Sequence, residues 1–348
     1  MPEPSSPIPV TLLTGFLGSG KTTLLNRLIG AYPRTAVVMN EFGEMALDHQ
    51  LLRAMEGPVA LLAGGCVCCT VQGTLAPTLK NLHMAAAGGR IPPFERLVIE
   101  TTGVAEPASI LKTLLRDRWL ALRFRLQSVV ATVDTVLGAR QLDRHPETLA
   151  QVAAADRVVL TKSDLAAPEA LTGLAARVRE INPGAPLLTA IHGDVEPGKV
   201  LDAVRFTREG EGVKRWLGDM APGEARFPVA VRCAPAHAEG LLAASVLWES
   251  PVAWPVLEAA LARLVTLHPR HFLRIKGIVH LRGHEGPAAV HAVSELIYPP
   301  EALAAWPEGE RRSRMVFITH GLEEGALKHL LDGFLASVRN GEEGMSAR

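Results

Sequence analysis

Residues Val10 to Thr23 read VTLLTGFLGSGKTT. A short run of strand character, Val10 to Thr14, leads directly into a glycine-rich turn, and a helical pattern follows it without a break. Within the turn, Gly15, Gly20, Lys21 and Thr22 hold the G-x-x-x-x-G-K-T spacing of a phosphate-binding loop. The residue types follow from the chemistry. Glycine lets backbone N–H groups converge on phosphate oxygens without a Cβ in the way, and the amino end of the helix adds a dipole favourable to anions. Lys21 is expected to reach the β and γ phosphates, and Thr22 to offer its hydroxyl to magnesium.

Outward from this loop, short β-branched runs alternate with longer helical patterns from Pro9 to about Ala190, which predicts a parallel sheet with crossover helices. Expected strands are Val10 to Thr14, Thr35 to Asn40, Val59 to Ala63, Leu97 to Glu100, Ser128 to Val133, Arg157 to Leu160 and Pro186 to Thr189. Most are near-continuous apolar runs, as strands buried on both faces should be. Helices are expected at Lys21 to Ala31, Gly73 to Ala87, Pro107 to Leu115, Glu147 to Ala155 and Pro168 to Ile181. The fold class is therefore α/β, a P-loop nucleotide hydrolase with a mostly parallel sheet over residues 9–193.

Glycine-rich, charged sequence at residues 194–224 reads as a linker. Beyond it, residues 225–339 predict a small α+β domain with an antiparallel sheet. Its strands are Phe227 to Cys233, Phe272 to Leu281, Ala288 to Ile297 and Arg314 to Ile318, with a helix at Glu239 to Leu247 or around Val256 to Leu267 and a last helix at Glu323 to Val338. Residues 1–8 and 340–348 are expected to be disordered.

Two further motifs complete a nucleotide site. LVIETTG ends a buried strand in Glu100, the acid expected near magnesium, and Gly103 allows a tight turn near the γ-phosphate. DRVVL ends in Thr161, Lys162, Ser163 and Asp164, which resembles the guanine-reading N/T-K-x-D motif of GTPases. Guanine presents two adjacent donors, N1–H and the 2-amino group, to a carboxylate such as Asp164, whereas adenine presents an acceptor and no amino group. Lys162 can lay its aliphatic stem along the purine. Thr161 stands where many GTPases carry asparagine.

Of the four cysteines, Cys66, Cys68 and Cys69 fall together in GGCVCCT, at the carboxyl end of an expected strand and thus on the sheet edge that carries the phosphate loop. Three thiolates suit a soft ion and leave one tetrahedral position open, which favours transfer over storage. Thiol chemistry admits zinc, copper(I) and, less readily, cobalt, with zinc preferred on ligand type. Glu41, in NEFGE, is a further candidate ligand from the same edge. The histidines His268, His271, His280 and His284 read as solvated positions rather than ligands.

Composition sets bounds on partners. The 36 basic residues of the 348-residue chain balance 36 acidic ones, so charge calls for neither nucleic acid nor an anionic membrane. The opening MPEPSSPIPV has no basic start and no sustained apolar run, and a cytoplasmic protein is expected.

In their order, GFLGSGKTT, NEFGE, GGCVCCT, ETTGVAEP and TKSD resemble the CobW-type GTPases, relatives of the nickel-enzyme accessory GTPases. HFLRIKGIVHLRG and VHAVSELIYPP look like that family's carboxyl-terminal domain. The resemblance implies a GTP-hydrolysing metallochaperone with Cys66, Cys68 and Cys69 as ligands; hydrolysis is expected to be slow without a partner, because the sequence assigns no arginine finger and no water-positioning glutamine. It also implies that Gly18, Ser19, Gly20, Lys21, Thr22 and Thr23 lie at the phosphates, with Glu100 near magnesium and Lys162 and Asp164 at guanine. Lys21 and Glu100 are the expected catalytic groups. Partners are then GTP or GDP, a metal ion, a client metalloprotein and, as an option, further copies of this chain in a homo-oligomer. Two alternatives share the Walker elements: a P-loop kinase for a small molecule, and a zinc sensor or reservoir in which the nucleotide is structural.

Overall fold

The apolar run that opens the phosphate loop becomes β1 (Ile8–Gly15), buried from Val10 onward. It takes the fourth of seven places in a sheet ordered β3-β2-β4-β1-β5-β6-β7. Its companions are β2 (Thr35–Asn40), β3 (Val59–Leu62), β4 (Arg96–Glu100), β5 (Phe124–Asp134), β6 (Arg157–Thr161) and β7 (Leu187–Ala190). Every pairing is parallel, with Leu12 beside both Ile99 and Val129. All seven strands therefore end on one edge, and β1 meets its phosphate loop there.

The structure, a computed structural model, describes residues 6–40, 59–62, 70–202, 229–233, 240–306 and 311–346. Two compact units divide the chain, Met1–Ala175 with Pro186–Arg205, and Ala176–Ala185 with Phe206–Arg348. Among the described residues no helix is long and apolar enough to cross a membrane.

In the first unit, α1 (Lys21–Ala31) turns Leu24, Leu25, Leu28 and Ile29 into a core shared with Leu13, Val98, Val130 and Val159. That spacing is the apolar stripe of an amphipathic helix. The crossovers are α2 (Thr70–Ala87), α3 (Pro107–Arg116), α4 (Arg118–Arg123), α5 (Gly138–Arg144), α6 (Pro146–Ala154) and α7 (Pro168–Ile181), the last assigned to this unit as far as Ala175. Proline in the first turn starts α3 and α6, where its missing N–H leaves no hydrogen bond unmade. Asp117 caps α4 by accepting from the Trp119 and Leu120 amides. The short α4 and α5 escape a reading by periodicity because each is under two full turns.

Part of the expected linker belongs to this unit. Residues Pro197–Leu201 form α8, and Val200 and Leu201 are fully buried in the core cluster around Leu13 and Leu24. Two apolar residues at the end of a glycine-rich, charged stretch carry too little periodic signal to show this.

The second unit is the expected α+β arrangement with an antiparallel sheet. Its strands are β8 (Val229–Cys233), β9 (Leu241–Trp248), β10 (Phe272–His280), β11 (Pro287–Val293), β12 (Leu296–Ile297), β13 (Glu301–Ala302) and β14 (Ser313–His320). They run in the order β12-β11-β10-β14-β9-β8, with β13 on β11. Helices α9 (Trp254–Leu267) and α10 (Glu324–Ser346) contribute Leu257, Leu261, Leu331 and Phe334 to a core with Val246 and Phe317.

Two expectations are corrected here. Of the two places offered for the first helix, the one around Val256 to Leu267 is α9, and Leu241–Trp248 is instead the strand β9; LLAASVLW favours helix locally, but pairing with β8 and β14 on its two sides overrides propensity. The tail from Asn340 continues α10 as far as Ser346. There Glu342 accepts from the Ala253 amide at the start of α9 and pairs with Arg282.

Candidate nucleotide site

Where β1 ends, the loop closes over itself. Gly15 has a φ of 141°, and an added Cβ would lie 2.3 Å from Thr132 Oγ1, so both conformation and space require glycine. Gly18 and Gly20 follow with positive φ, and Gly20 stands at the N-cap of α1. Ser19 Oγ shares a buried 2.6 Å hydrogen bond with Thr132 Oγ1 of β5. The Lys21 ammonium donates to the Gly15 and Phe16 carbonyls at 2.9 and 3.1 Å. Lys21 is 8% exposed, and burial holds its pKa below the ordinary lysine value while the Glu100 carboxylate pulls it back up. Thr22 and Thr23 occupy the first turn of α1, Thr23 exposed.

Next to β1, β4 pairs Glu100 with Leu13 and ends there. Glu100, 5% exposed, accepts a 2.8 Å hydrogen bond from Thr22 Oγ1. A hydroxyl and a carboxylate side by side, both hard oxygen donors at a helix start, fit magnesium. The turn after Glu100 is tied back to β1: the Thr101 amide donates to Leu13 O and Thr101 Oγ1 to Thr14 Oγ1. Gly103 packs directly on the phosphate loop, since an added Cβ would lie 2.5 Å from the Leu17 nitrogen.

On the other side of β1, Thr161, Lys162, Ser163 and Asp164 sit where β6 ends. Thr161 Oγ1 donates to Ser19 O at 2.8 Å, so this threonine holds the phosphate loop to the end of β6. Lys162, with φ of 55°, extends its ammonium to Asp134 Oδ2 at 2.6 Å. Asp164 lies 3.9 Å from His192 Nε2, and Ser163 Oγ donates to Ala190 O at the end of β7. The described structure thus brings Gly15, Gly18, Ser19, Gly20, Lys21, Thr22, Thr23, Glu100, Thr161, Lys162 and Asp164 onto one sheet edge. Cys66, Cys68, Cys69 and Glu41 lie outside the described residues.

Several supporting groups escaped sequence reading. Asp134, 1% exposed, ends β5 and accepts from the Val136 and Leu137 amides as well as from Lys162. Thr135 Oγ1 donates to the Thr161 and Lys162 carbonyls at 2.8 and 2.7 Å. An acid at a strand end, in ATVDT, was the same signal that singled out Glu100, and it could have found Asp134. Gln151, whose Nε2 donates to the Gly103 and Ala105 carbonyls at 3.0 and 3.2 Å, had no such signal because it lies inside a helix. Among the described residues no group of three or more His, Cys, Asp or Glu could hold a metal ion. His271 instead bonds its Nδ1 to His320 O, and His280 meets the Trp306 ring edge-on.

Known proteins share this arrangement. Residues 9–189 match the CobW/HypB/UreG nucleotide-binding domain, and residues 244–335 match the cobalamin synthesis protein cobW C-terminal domain. The zinc chaperone YjiA of Escherichia coli (strain K12) is 32% identical, over 94% of this chain and 99% of that protein. The zinc chaperone CobW of Sinorhizobium sp. is 27% identical, over 92% of this chain and 95% of that protein. A crystal structure of Zn(II)-bound YjiA GTPase from E. coli superposes with a TM-score of 0.67 at 29% identity, covering 94% of this chain and 99% of that one. A phosphate loop braced by the end of β6, followed by a second α+β unit of matching sequence, leaves one conclusion: the chain belongs to the CobW/HypB/UreG family.

Proposed function

We propose that this chain is a GTPase metallochaperone that binds GTP and uses its hydrolysis to control a zinc ion held by Cys66, Cys68 and Cys69. The observation that carries the reading is the hydrogen bond from Thr161 to Ser19, because it makes the base-reading motif and the phosphate loop one site. Asp164 selects guanine through N1–H and the 2-amino group. Lys21 leaves the Gly15 and Phe16 carbonyls for phosphate oxygens, which its position inside the loop allows. Thr22 and Glu100 would hold magnesium, which supplies charge neutralisation on the transferred phosphoryl group. Intrinsic hydrolysis is slow, and a docking partner accelerates it.

Topology supports coupling between nucleotide and metal. β3 is parallel to β2, β2 to β4, and β4 to β1, so β3 ends at Leu62, four residues before Cys66 in the sequence, on the edge where β1 delivers the phosphate loop. Three strand spacings separate β3 from β1, on the order of 14 Å. A coupling free energy of about 1–3 kcal/mol would change zinc affinity roughly 5- to 150-fold between nucleotide states. The names of the relatives, zinc chaperones among them, support zinc as cargo.

Anaerobic zinc titrations with GDP and with a non-hydrolysable GTP analogue test this reading, with Cys66, Cys68 and Cys69 changed to serine as the control. Different dissociation constants in the two states, and loss of the difference in the serine variant, are expected. Equal constants would end the chaperone reading and leave a GTPase without metal control.

A further inference from the structure

Gln151 lies outside every motif of the nucleotide site, yet it is 1% exposed and its Nε2 donates to two carbonyls of the turn after Glu100, while its Oε1 is buried without a hydrogen bond among the described residues. Carbonyl oxygens cannot donate, so an amide facing both Gly103 O and Ala105 O must present its NH2 group. The turn is held from within as well. The Ala105 amide donates to Thr102 O at 3.1 Å, and because the peptide joining Thr102 to Gly103 is planar, fixing that carbonyl also fixes the Gly103 N–H opposite it.

The helix that carries Gln151 reaches the phosphate loop too. His145, at the N-cap of α6, stacks on Phe16 with ring centroids 4.3 Å apart and planes inclined by 27°. Gly103 meanwhile rests against the Leu17 backbone, the next residue of the same loop. One helix of nine residues thus touches both the loop that cradles the phosphates and the turn that follows the magnesium-side acid.

We propose that α6 is a brace between these two elements and that Gln151 is a positioning residue for GTP hydrolysis, setting where the Gly103 N–H stands relative to the γ-phosphate. Gln151 does not touch the reacting atoms; it acts through the turn. This rests on the GTPase reading above and adds to it the group that makes the site respond to the third phosphate. A diphosphate ends at the loop and is indifferent to the turn. A triphosphate extends past Lys21 towards Glu100, and its binding and reaction depend on the turn's placement.

The test compares the full-length protein with Gln151→Met, which keeps the volume and removes both donors, and with His145→Ala at the half-buried end of the brace. Steady-state hydrolysis of GTP is measured together with affinities for GDP and for guanosine 5′-(β,γ-imido)triphosphate. In Gln151→Met, kcat is expected to fall about 10- to 100-fold, with KM rising only by as much as affinity for the imido analogue falls. GDP affinity should be unchanged while affinity for the imido analogue falls. His145→Ala should shift the same two quantities in the same direction by less, and it reports on the brace even if Gln151→Met does not fold. Wild-type kcat and an unaltered ratio of the two affinities, in whichever variants fold, would overturn the brace alone. Wild-type protein that neither binds nor hydrolyses GTP would take the brace and the GTPase reading down together.

Discussion

Thr161 Oγ1 donates to the carbonyl of Ser19 at 2.8 Å, joining two loops 142 residues apart in the chain. Thr161 is buried, so its hydroxyl has no water to fall back on. Thr161→Val keeps the shape and leaves the Ser19 carbonyl without this donor, which should lower unfolding free energy by about 1–3 kcal/mol. GTP and GDP should lose affinity equally, since both use the same loop. Thr161→Ser, which retains the hydroxyl, should restore both. Denaturant unfolding and nucleotide titration of the two variants check this, and a loss confined to GTP would contradict it.

Asp134 divides its carboxylate between the Val136 and Leu137 amides on one oxygen and the Lys162 ammonium on the other. Lys162 sits in the left-handed region with φ of 55°, so its backbone is held where few lysines go. Asp134→Asn puts an amide NH2 or a weaker acceptor against the ammonium. Losing a charge-assisted hydrogen bond of about 1.5–3 kcal/mol should weaken guanine nucleotides roughly 10- to 100-fold. The Lys162 stem packs on any purine while Asp164 does the selecting, so adenine nucleotides should weaken in proportion and the preference for guanine should persist. Competition titrations of GDP against ADP measure it directly.

How much of this was legible depended on whether a residue announces its role locally. The phosphate loop did, since glycines, lysine and threonine at fixed spacing mean one thing between a strand and a helix. The place of TKSD was legible as well, because it follows an apolar strand. Gln151 did not: a glutamine in a helix is ordinary until the fold shows which carbonyls it faces. Val200 and Leu201 were hidden by their glycine-rich, charged surroundings, although both are fully buried. β9 was readable as helix because Leu and Ala favour it, and only its two antiparallel neighbours decide otherwise. Cys66, Cys68 and Cys69 remain a reading of spacing and thiolate chemistry.

Lys21 should make the nucleotide-free protein less stable than a lysine-free one. Burial lowers its pKa from 10.5, with Glu100 acting the other way. The unfolded chain therefore holds this proton more tightly than the folded one, and stability rises with pH between the folded value and 10.5. Below that window the folded protein carries the full burden of a buried ammonium. Lys21→Met should match or exceed wild-type thermal stability at neutral pH without nucleotide, and should lack the rise as pH climbs toward 10.5. Its GTP affinity should fall about 10- to 100-fold from the lost charge-assisted contacts. Calorimetry across pH, with and without GTP, separates the two effects.

Gly103 sets how close the turn after Glu100 can come to the phosphate loop. A Cβ there would stand 2.5 Å from the Leu17 nitrogen and 2.6 Å from its Cα, and backbone atoms cannot swing aside as a side-chain tip can. Gly103→Ala must therefore push the turn and the loop apart, at a stability loss of about 1–3 kcal/mol from overpacking. Since the loop keeps its hydrogen bonds to Thr132 and Thr161, the cradle for a diphosphate survives. GDP affinity should stay near wild type while GTP hydrolysis drops about 10- to 100-fold, as expected when a positioning element moves by an ångström or so. Parallel losses of GDP binding and hydrolysis would instead mean that Gly103 supports the whole loop, and that the turn has no separate part in the reaction.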